Sequence, residues 1–469
     1  MKRPNVLMLY TDQQRWDTLG LVNDAVHTPH LNALAESGVH FTNAFCNNPV
    51  CMPSRQSMLS GQYPSVVGCT VNGIEMREDV PCVHTILKPY GYHTANLGKL
   101  HFKNHSNRDH REPHPSYGFD TLILSDEPGC YDDAYLKWVE ERDPSQVENC
   151  RTALPPAALE HRGLPQPSRG AGEGGARHGR TMVDPYVFDG PEHLTHTSFV
   201  AEETITYLEK HWSDTFFAIA GFYVPHDPLN PPKRFVEMYD PARLPLPAMN
   251  PGEDHRNLSP DEWRTMKAYY YAQVSHLDDR IGMILDALTE AGERDNTIII
   301  FTADHGEHLG DHGLTGKGAP GYDSCSHVPL IVSYPAAIPA GQVRDDLIES
   351  VDIAPTILDY CGVQAPPFFQ GGSFRPLIEG RDYQPRTSAF LEYRNPFKTS
   401  WKTVRTHDFK YCTSARGEDL LFDLKADPHE LTNVAADPAH SDALAAMRHE
   451  LLLRWFDVEK QYPLRTGAY

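Results

Sequence analysis

The stretch Cys51-Met-Pro-Ser-Arg-Gln-Ser-Met-Leu-Ser-Gly61 carries more information than any other segment of this 469-residue chain. It has the form C-x-P-S-R, followed by the apolar pair Met58-Leu59 and by Ser60-Gly61. A single cysteine before a turn is most often a small buried apolar residue, because it packs well and seldom reacts. The role of Cys51 therefore has to be decided from the sequence on either side of it.

Short apolar runs around this stretch alternate with helical patterns. The clearest strand-like runs are Val6 to Tyr10, Phe216 to Tyr223 and Thr297 to Thr302. Asp261 to Ala291 repeats its apolar residues with helical spacing and predicts one long helix or two. This alternation predicts an α/β fold whose mostly parallel sheet is covered by helices on both faces. Sites in such sheets lie beyond the carboxyl ends of the strands, where Asp12 and Asp304-His305 stand.

Two further blocks give Cys51 a context. Gly91-Tyr-His-Thr-Ala-Asn-Leu-Gly-Lys-Leu-His101 has the form G-Y-x-T-x-x-x-G-K-x-H, and Phe301-Thr-Ala-Asp-His-Gly-Glu307 ends a strand-like run. With Asp12 and the C-x-P-S-R stretch, these blocks resemble the type I sulfatases of the alkaline phosphatase superfamily, in the family's order. The resemblance extends from about residue 4 to the segment Phe422 to Asn433, and it implies an alkaline phosphatase-like fold.

The pattern changes after about residue 375. Short alternating segments and a last helix, Ser441 to Glu459, resemble the small antiparallel α+β subdomain of sulfatases. We therefore expect a catalytic domain over residues 1–375 and a C-terminal subdomain over residues 376–469. Residues 141–183 are rich in Pro and Gly and predict a long loop inserted in the catalytic domain.

The composition and net charge of the chain limit the classes of partner and the cellular location that we expect. A net charge of −21 argues against a nucleic-acid partner, because phosphates would be repelled. No apolar stretch approaches the roughly 20 residues of a membrane span, and no secretory signal is visible, so a cytoplasmic protein is expected. Nine scattered cysteines without a C-x-x-C pair argue against a disulfide framework. The oligomeric state stays open.

The resemblance also implies a metal centre. The ligands that it implies for one divalent metal ion are Asp12, Gln13, Cys51 in modified form, Asp304 and His305. Oxygen donors with a single imidazole suit Ca²⁺ first, with Mn²⁺ and Mg²⁺ as alternatives. Many sulfatases carry Asp where this chain has Gln13, so the neutral amide lowers the charge of the site. His308 and His312 do not have a standard zinc spacing and are expected to be loop residues.

The nucleophile that the resemblance implies is made after translation. A formylglycine-generating enzyme would oxidise Cys51 to formylglycine, whose hydrate attacks the sulfate ester and forms a covalent sulfo-enzyme. Arg55 is expected to bind the metal-held oxygens and to orient residue 51. Met52 stands where the family prefers a small residue, and it could lower the efficiency of the modification.

The remaining site residues bind sulfate or move protons. Lys99 and Lys317 match the family's sulfate-binding lysines, and Asn72 is a further sulfate ligand or a turn residue before Gly73. His226 is expected to protonate the leaving alkoxide, a role that suits a group titrating near neutrality. His101 matches the residue that accepts a proton as sulfate leaves.

Three classes of function fit these motifs. Phosphonate monoester and phosphodiester hydrolases share the formylglycine and the metal site, and they also resemble this chain in Gln13 and Asn72. Lys99 and His101 favour a sulfatase, because those hydrolases generally lack both. A binding protein without activity is the third alternative, but no motif residue is missing. The family favours a sulfated carbohydrate as substrate, with sugar contacts expected from Tyr393, Arg394 and Trp401.

Overall fold

The computed structural model describes residues 3–104, 113–129, 133–151, 183–394 and 399–459. Its main sheet has nine strands in the order β4-β3-β5-β1-β6-β7-β2-β8, and β9 pairs with β2. The strands are β1 (Asn5–Asp12), β2 (Val39–Phe45), β3 (Tyr92–Gly98), β4 (Thr121–Leu124), β5 (Thr215–Pro225), β6 (Thr297–Ala303), β7 (His327–Ser333), β8 (Gln342–Arg344) and β9 (Ile348–Glu349).

The sheet is mostly parallel, as the sequence predicts. β1 lies at its centre, where Val6 pairs with Phe217 of β5 and with Ile298 of β6. β7 runs antiparallel to both β6 and β2, and the other pairs in the sheet are parallel. Both faces of the central strands are buried, which explains why their sequences are continuous apolar runs.

Helices cover both faces of this sheet. The α-helices are α1 (Pro29–Glu36), α2 (Cys51–Ser60), α3 (Pro64–Val67), α4 (Val83–Leu87), α5 (Ala134–Arg142), α6 (Val147–Cys150), α7 (His196–His211), α8 (Lys233–Val236), α9 (Pro260–Glu290), α10 (Asp323–Ser326), α11 (Ile353–Tyr360), α12 (Arg375–Ile378) and α13 (Ser441–Val458). The helix predicted as one or two is a single helix, α9, which begins at a capping box between Ser259 and Glu262.

The two faces of the sheet bury separate apolar clusters. Val6, Met8 and Tyr10 of β1 belong to the cluster that α2, α4 and α11 cover. Leu7 and Leu9 point the other way and belong to the cluster that α1, α7 and α9 cover. This alternation follows from the period of two residues along a strand. It fixes β1, and therefore the residues that follow it, between two packed layers.

A second sheet lies near the C-terminus. Its antiparallel strands are β10 (Ala389–Arg394), β11 (Ser400–Arg405), β12 (Phe409–Ser414) and β13 (Asp419–Asp423). The sequence predicts the first three of these strands and the helix α13 that packs on β11 and β12, but it misses β13. The domain boundary near residue 375 stays a prediction.

The long loop predicted over residues 141–183 falls mainly on residues 152–182, which lie outside the described residues. The part that is described contains the end of α5 and α6. Among the helices of the described residues, none is both long enough and apolar enough to cross a membrane.

Candidate active site

Cys51 is the first residue of α2, and its side chain is almost completely buried. Lys317 Nζ lies 2.7 Å from its Sγ atom, and His305 Nε2 lies 3.2 Å from it. Asp12 Oδ1 follows at 3.8 Å. Side chains from distant parts of the chain therefore meet at the cysteine that the sequence singled out.

The start of α2 is shaped by its own sequence. Val50 is extended, with φ −146° and ψ 156°, so the helix begins at Cys51. Pro53 is tolerated in the first turn, because the first N–H groups of a helix have no intrahelical acceptor. Asn72 Oδ1 accepts a hydrogen bond from one of these groups, Met52 N, at 2.9 Å. Cys51 thus stands at a helix N-terminus, where the partial positive charge favours an anion.

A cluster of potential metal ligands surrounds Cys51. The ligand atoms of Asp12, Cys51, Asp304 and His305 lie within 4.8 Å of one another, and all four side chains are buried. Asp12 ends β1 and Asp304 follows β6, and the two strands are neighbours in register, with Thr11 opposite Ala303. The parallel sheet therefore brings the two carboxylates to the same edge. The described residues contain no second cluster of this kind.

Gln13 extends this cluster. Its backbone has a positive φ of 65°, and its N–H donates to Asp304 Oδ1 at 3.0 Å. The side-chain Nε2 donates to Glu307 Oε2 at 2.5 Å. Oε1 is buried and makes no hydrogen bond within the described residues. Since leaving a buried carbonyl oxygen unsatisfied costs about 1–3 kcal/mol, this atom fits a metal ligand.

The contacts of His305 favour a neutral ring. Its Nδ1 lies 2.8 Å from Gly306 O, which places the ring hydrogen on Nδ1 and leaves a lone pair on Nε2. Burial lowers the pKa of His305 and so favours the neutral ring. The donor set of carboxylates, one amide oxygen and one imidazole fits a divalent ion such as Ca²⁺ or Mn²⁺ and does not suit a thiol-preferring metal.

Two lysines add positive charge beside Cys51. Lys99 Nζ lies 2.6 Å from Asp12 Oδ2, and Lys317 Nζ lies 3.8 Å from Asp12 Oδ1. Burial alone would lower the pKa of each lysine, but Asp12 and Cys51 raise both pKa values. Burial would conversely raise the pKa of Asp12, but Lys99 and Lys317 hold it well below its usual range. The lysines are therefore charged, and Asp12 is a carboxylate.

Arg55 forms ion pairs with the two carboxylates of the cluster. Its Nε lies 2.8 Å from Asp304 Oδ2, and its Nη2 lies 3.5 Å from Asp12 Oδ2. Burial alone would lower the pKa of Arg55, but these carboxylates raise it. Arg55 therefore holds Asp12 and Asp304 in place, and its charge also interacts with Cys51.

A cavity of about 310 Å³ opens above these groups. Its lining residues are Cys51, Met52, Asn72, Gly73, Lys99, His101, Asn104, Glu127, His226 and Lys317. All the residues that the sequence assigns to sulfate binding or proton transfer line this one cavity. Sequence reasoning missed Asn104 and Glu127. Glu127 follows β4 at the same edge of the sheet as Asp12 and Asp304, but the sequence does not predict this four-residue strand.

The two histidines of the cavity follow neighbouring strands, β3 and β5. His226 follows β5, and its Nδ1 lies 2.8 Å from Asp227 O, which leaves Nε2 for a ligand. His101 has a positive φ of 56°, and its backbone N–H donates a hydrogen bond to Asp126 Oδ1 at 2.8 Å. Asp126 also accepts a hydrogen bond from Leu100 N at 3.0 Å. This carboxylate therefore shapes the turn that separates Lys99 from His101.

His308 and His312 lie outside the cavity. His308 Nδ1 lies 3.1 Å from Ser324 Oγ, and burial lowers its pKa to about 3. His312 stacks on Tyr322 with ring centroids 3.7 Å apart. Tyr393 and Trp401 are directly paired across β10 and β11, but neither residue lines the cavity.

Two family models match the chain. The model described as Sulfatase matches residues 4–363, and the model described as N-sulphoglucosamine sulphohydrolase, C-terminal, matches residues 310–455. The first match covers most of the chain and includes every residue of the site described above.

Individual proteins match over almost the whole length. An arylsulfatase of Clostridium perfringens is 30% identical, with 96% of this chain and 94% of the relative covered. An N-acetylglucosamine-6-O-sulfatase of Bacteroides thetaiotaomicron is 27% identical, with 98% and 87% covered. Among solved structures, the phosphonate monoester hydrolase of Agrobacterium radiobacter superposes with a TM-score of 0.82 at 26% identity, covering 97% of this chain and 96% of that one.

Proposed function

The chain belongs to the sulfatase family of the alkaline phosphatase superfamily, and we propose that it hydrolyses a sulfate monoester carried by a saccharide. The observation that carries this proposal is the cationic cavity around Cys51. Lys99 and Lys317 flank residue 51 there, and His101 and His226 line the same space. The relative that acts on sulfated N-acetylglucosamine supports a saccharide as the carrier of the ester.

We propose that Cys51 is converted to formylglycine by a formylglycine-generating enzyme. The C-x-P-S-R sequence and the place of Cys51 at a helix N-terminus inside the cavity support this assignment. When present, the hydrated aldehyde supplies one hydroxyl that attacks sulfur and a second whose deprotonation releases sulfate. Met52 also lines the cavity, and its Sδ accepts a hydrogen bond from Gly73 N at 3.1 Å.

One divalent metal ion would be held by Asp12, Gln13, residue 51, Asp304 and His305, with Ca²⁺ as the first choice and Mn²⁺ or Mg²⁺ as alternatives. The buried oxygen of Gln13 and the neutral ring of His305 support this set. Such an ion supplies positive charge that acidifies a bound hydroxyl and polarises an ester oxygen.

The side chains of the cavity then have separate roles. Lys99 and Lys317 stabilise the charge on the sulfate oxygens. Asn72 contributes its amide N–H groups, because Met52 N already occupies its carbonyl oxygen. His226 protonates the leaving alkoxide from Nε2, and His101 accepts the proton that is lost when sulfate departs.

A phosphonate monoester or phosphodiester hydrolase is the second candidate function. The superposition on the phosphonate monoester hydrolase and the amide at Gln13 favour it. Against it stand Lys99 and His101, both of which line the cavity. They support a pocket arranged around a terminal sulfate group.

The test is a comparison of initial rates on an aryl sulfate and an aryl phosphonate monoester with one purified sample. The protein is co-expressed with a formylglycine-generating enzyme, and intact mass shows the conversion of Cys51. We expect a strong preference for the sulfate, followed by turnover of 6-O-sulfated N-acetylglucosamine. A preference for the phosphonate would replace the proposed function by the second candidate.

A further inference from the structure

Glu307 is a completely buried carboxylate that the proposed reaction does not use. Its Oε2 accepts a hydrogen bond from Gln13 Nε2 at 2.5 Å, across 294 residues of sequence. Its Oε1 accepts hydrogen bonds from Leu309 N, at 3.1 Å, and from Gly316 N. Burying a charged carboxylate is costly, so a group satisfied by N–H donors alone has a structural purpose.

One partner of Glu307 is the proposed metal ligand Gln13. The two ends of an amide have almost the same shape, so packing alone cannot decide which end faces the metal ligands. In the structure Nε2 faces Glu307 Oε2, and an ionised carboxylate at this place accepts hydrogen bonds and cannot donate them. The backbone of Gln13 is fixed independently, since its N–H donates to Asp304 and its carbonyl accepts from Tyr270 OH at 2.5 Å. The remaining atom, Oε1, is thereby left for the metal.

The other partner, Gly316, precedes Lys317. Gly316 and Gly318 have positive φ values of 83° and 131°, and a side chain built on either one would meet nothing within 4 Å. The backbone on both sides of Lys317 therefore has little packing to hold it. Hydrogen bonds fix it instead, from Gly316 N to Glu307 and from His308 N to Gly316 O at 3.0 Å.

We propose that Glu307 is a positioning residue that orients the amide of Gln13 with its oxygen toward the metal and anchors the loop that carries Lys317. This inference rests on the proposed metal centre. Glu307 thus contacts both the part of the site that is proposed to bind the metal and the loop whose Lys317 is proposed to bind sulfate.

The test measures the dissociation constant of Mn²⁺ by electron paramagnetic resonance, on full-length protein with residue 51 converted. In Glu307→Gln, the backbone N–H groups of Leu309 and Gly316 still donate hydrogen bonds to the carbonyl oxygen of the new amide. Its NH₂ group then faces Gln13, which has to turn its own nitrogen toward the metal. We expect Mn²⁺ affinity to fall about 10- to 100-fold, the usual effect of losing a group that orients a ligand.

The matched variant exchanges the two groups, Gln13→Glu together with Glu307→Gln. It keeps the net charge, and the amide at position 307 can now donate a hydrogen bond to the carboxylate at position 13. We therefore expect the affinity for Mn²⁺ to be at least about tenfold higher than in the single variant. The double variant tests the inference even if Glu307→Gln does not fold. If the double variant binds Mn²⁺ with less than one-tenth of the wild-type affinity, the inference is overturned.

Two results separate this inference from the proposed function. If the wild type binds no Mn²⁺ or Ca²⁺, the metal centre itself is wrong. If the wild type binds Mn²⁺ and folded Glu307→Gln binds it equally well, the metal centre stands and the positioning role is overturned.

Discussion

The cavity has two regions that differ in how they are built. We call the buried set of Asp12, Gln13, Cys51, Arg55, Asp304 and His305 the floor, and each of these side chains is at most 1% exposed. We call Asn72, Asn104, Glu127 and His226 the rim, because these residues are half-buried or exposed. The floor stands on strand ends and a helix N-terminus, whereas the rim stands on loops.

This difference indicates that the floor and the rim have different functions. Residues of the floor hold one another through charges at fixed strand ends, so a change in one of them disturbs the others. In the rim, Asn72 and His226 make hydrogen bonds to backbone groups and can change with less damage. We therefore expect the floor to determine whether the reaction occurs and the rim to determine which ester is cleaved.

The largest effect is expected from Cys51→Ala on the floor. Without a nucleophile the turnover of an aryl sulfate should fall by more than about 10⁴-fold, as when other enzymes lose theirs. The melting temperature should stay near that of the wild type, because one small buried side chain replaces another. Initial rates and a thermal melt measure both quantities. Cys412→Ala removes an equally buried thiol from the small sheet and should retain activity; full activity in Cys51→Ala would contradict the assignment of the nucleophile.

The second effect concerns the stability of the floor. Arg55→Met leaves Asp12 and Asp304 buried without their guanidinium partner, and losing one member of a buried pair costs about 3–5 kcal/mol. Urea unfolding in the presence of a chelator measures the free energy of unfolding. Arg77→Met removes an ion pair whose side chains are 73% and 72% exposed, and it should leave the free energy of unfolding almost unchanged, because water screens the pair. Equal losses in the two variants would show that the floor is not held by charge.

The third effect belongs to the rim and depends on the substrate. His226→Ala should slow the hydrolysis of alkyl sulfates by at least about 10²-fold, because a poor leaving group needs the proton that His226 supplies. Aryl sulfates with acidic phenols should be affected much less. The ratio of kcat/KM for the two esters is the measurement, and His407→Ala on an exposed turn is the control. An equal loss of kcat/KM on both esters would show that His226 is not the acid that protonates the leaving group.

The smallest effect separates the two interpretations of Asn72. Asn72→Asp keeps an oxygen for Met52 N but cannot donate to sulfate. If Asn72 binds sulfate, kcat/KM should fall about tenfold or more, since a hydrogen bond to a charged group contributes about 1.5–3 kcal/mol. If Asn72 only caps α2, Asn72→Asp should keep full activity, while Asn72→Ala should lower the melting temperature.

The sequence predicted the floor better than the rim. Asp12 and Asp304 follow apolar runs that can only be buried strands, and the carboxyl-end rule brings them together. Asn104 and Glu127 were missed, because the loop and the short strand before them have no strong pattern. The role of Arg55 in orienting residue 51 stays a prediction, and its ion pairs with Asp12 and Asp304 were not predicted.

The sequence by itself determined the fold class, the family and the identity of the floor residues around Cys51. These features depend on short motifs and on periodicity, which are local properties of the chain. Only the tertiary structure decided that Gln13 turns Nε2 toward Glu307, that its Oε1 makes no hydrogen bond within the described residues, and that Lys317 reaches Cys51. Those contacts join residues far apart in sequence, and their geometry depends on strand register and loop path, which no local pattern encodes.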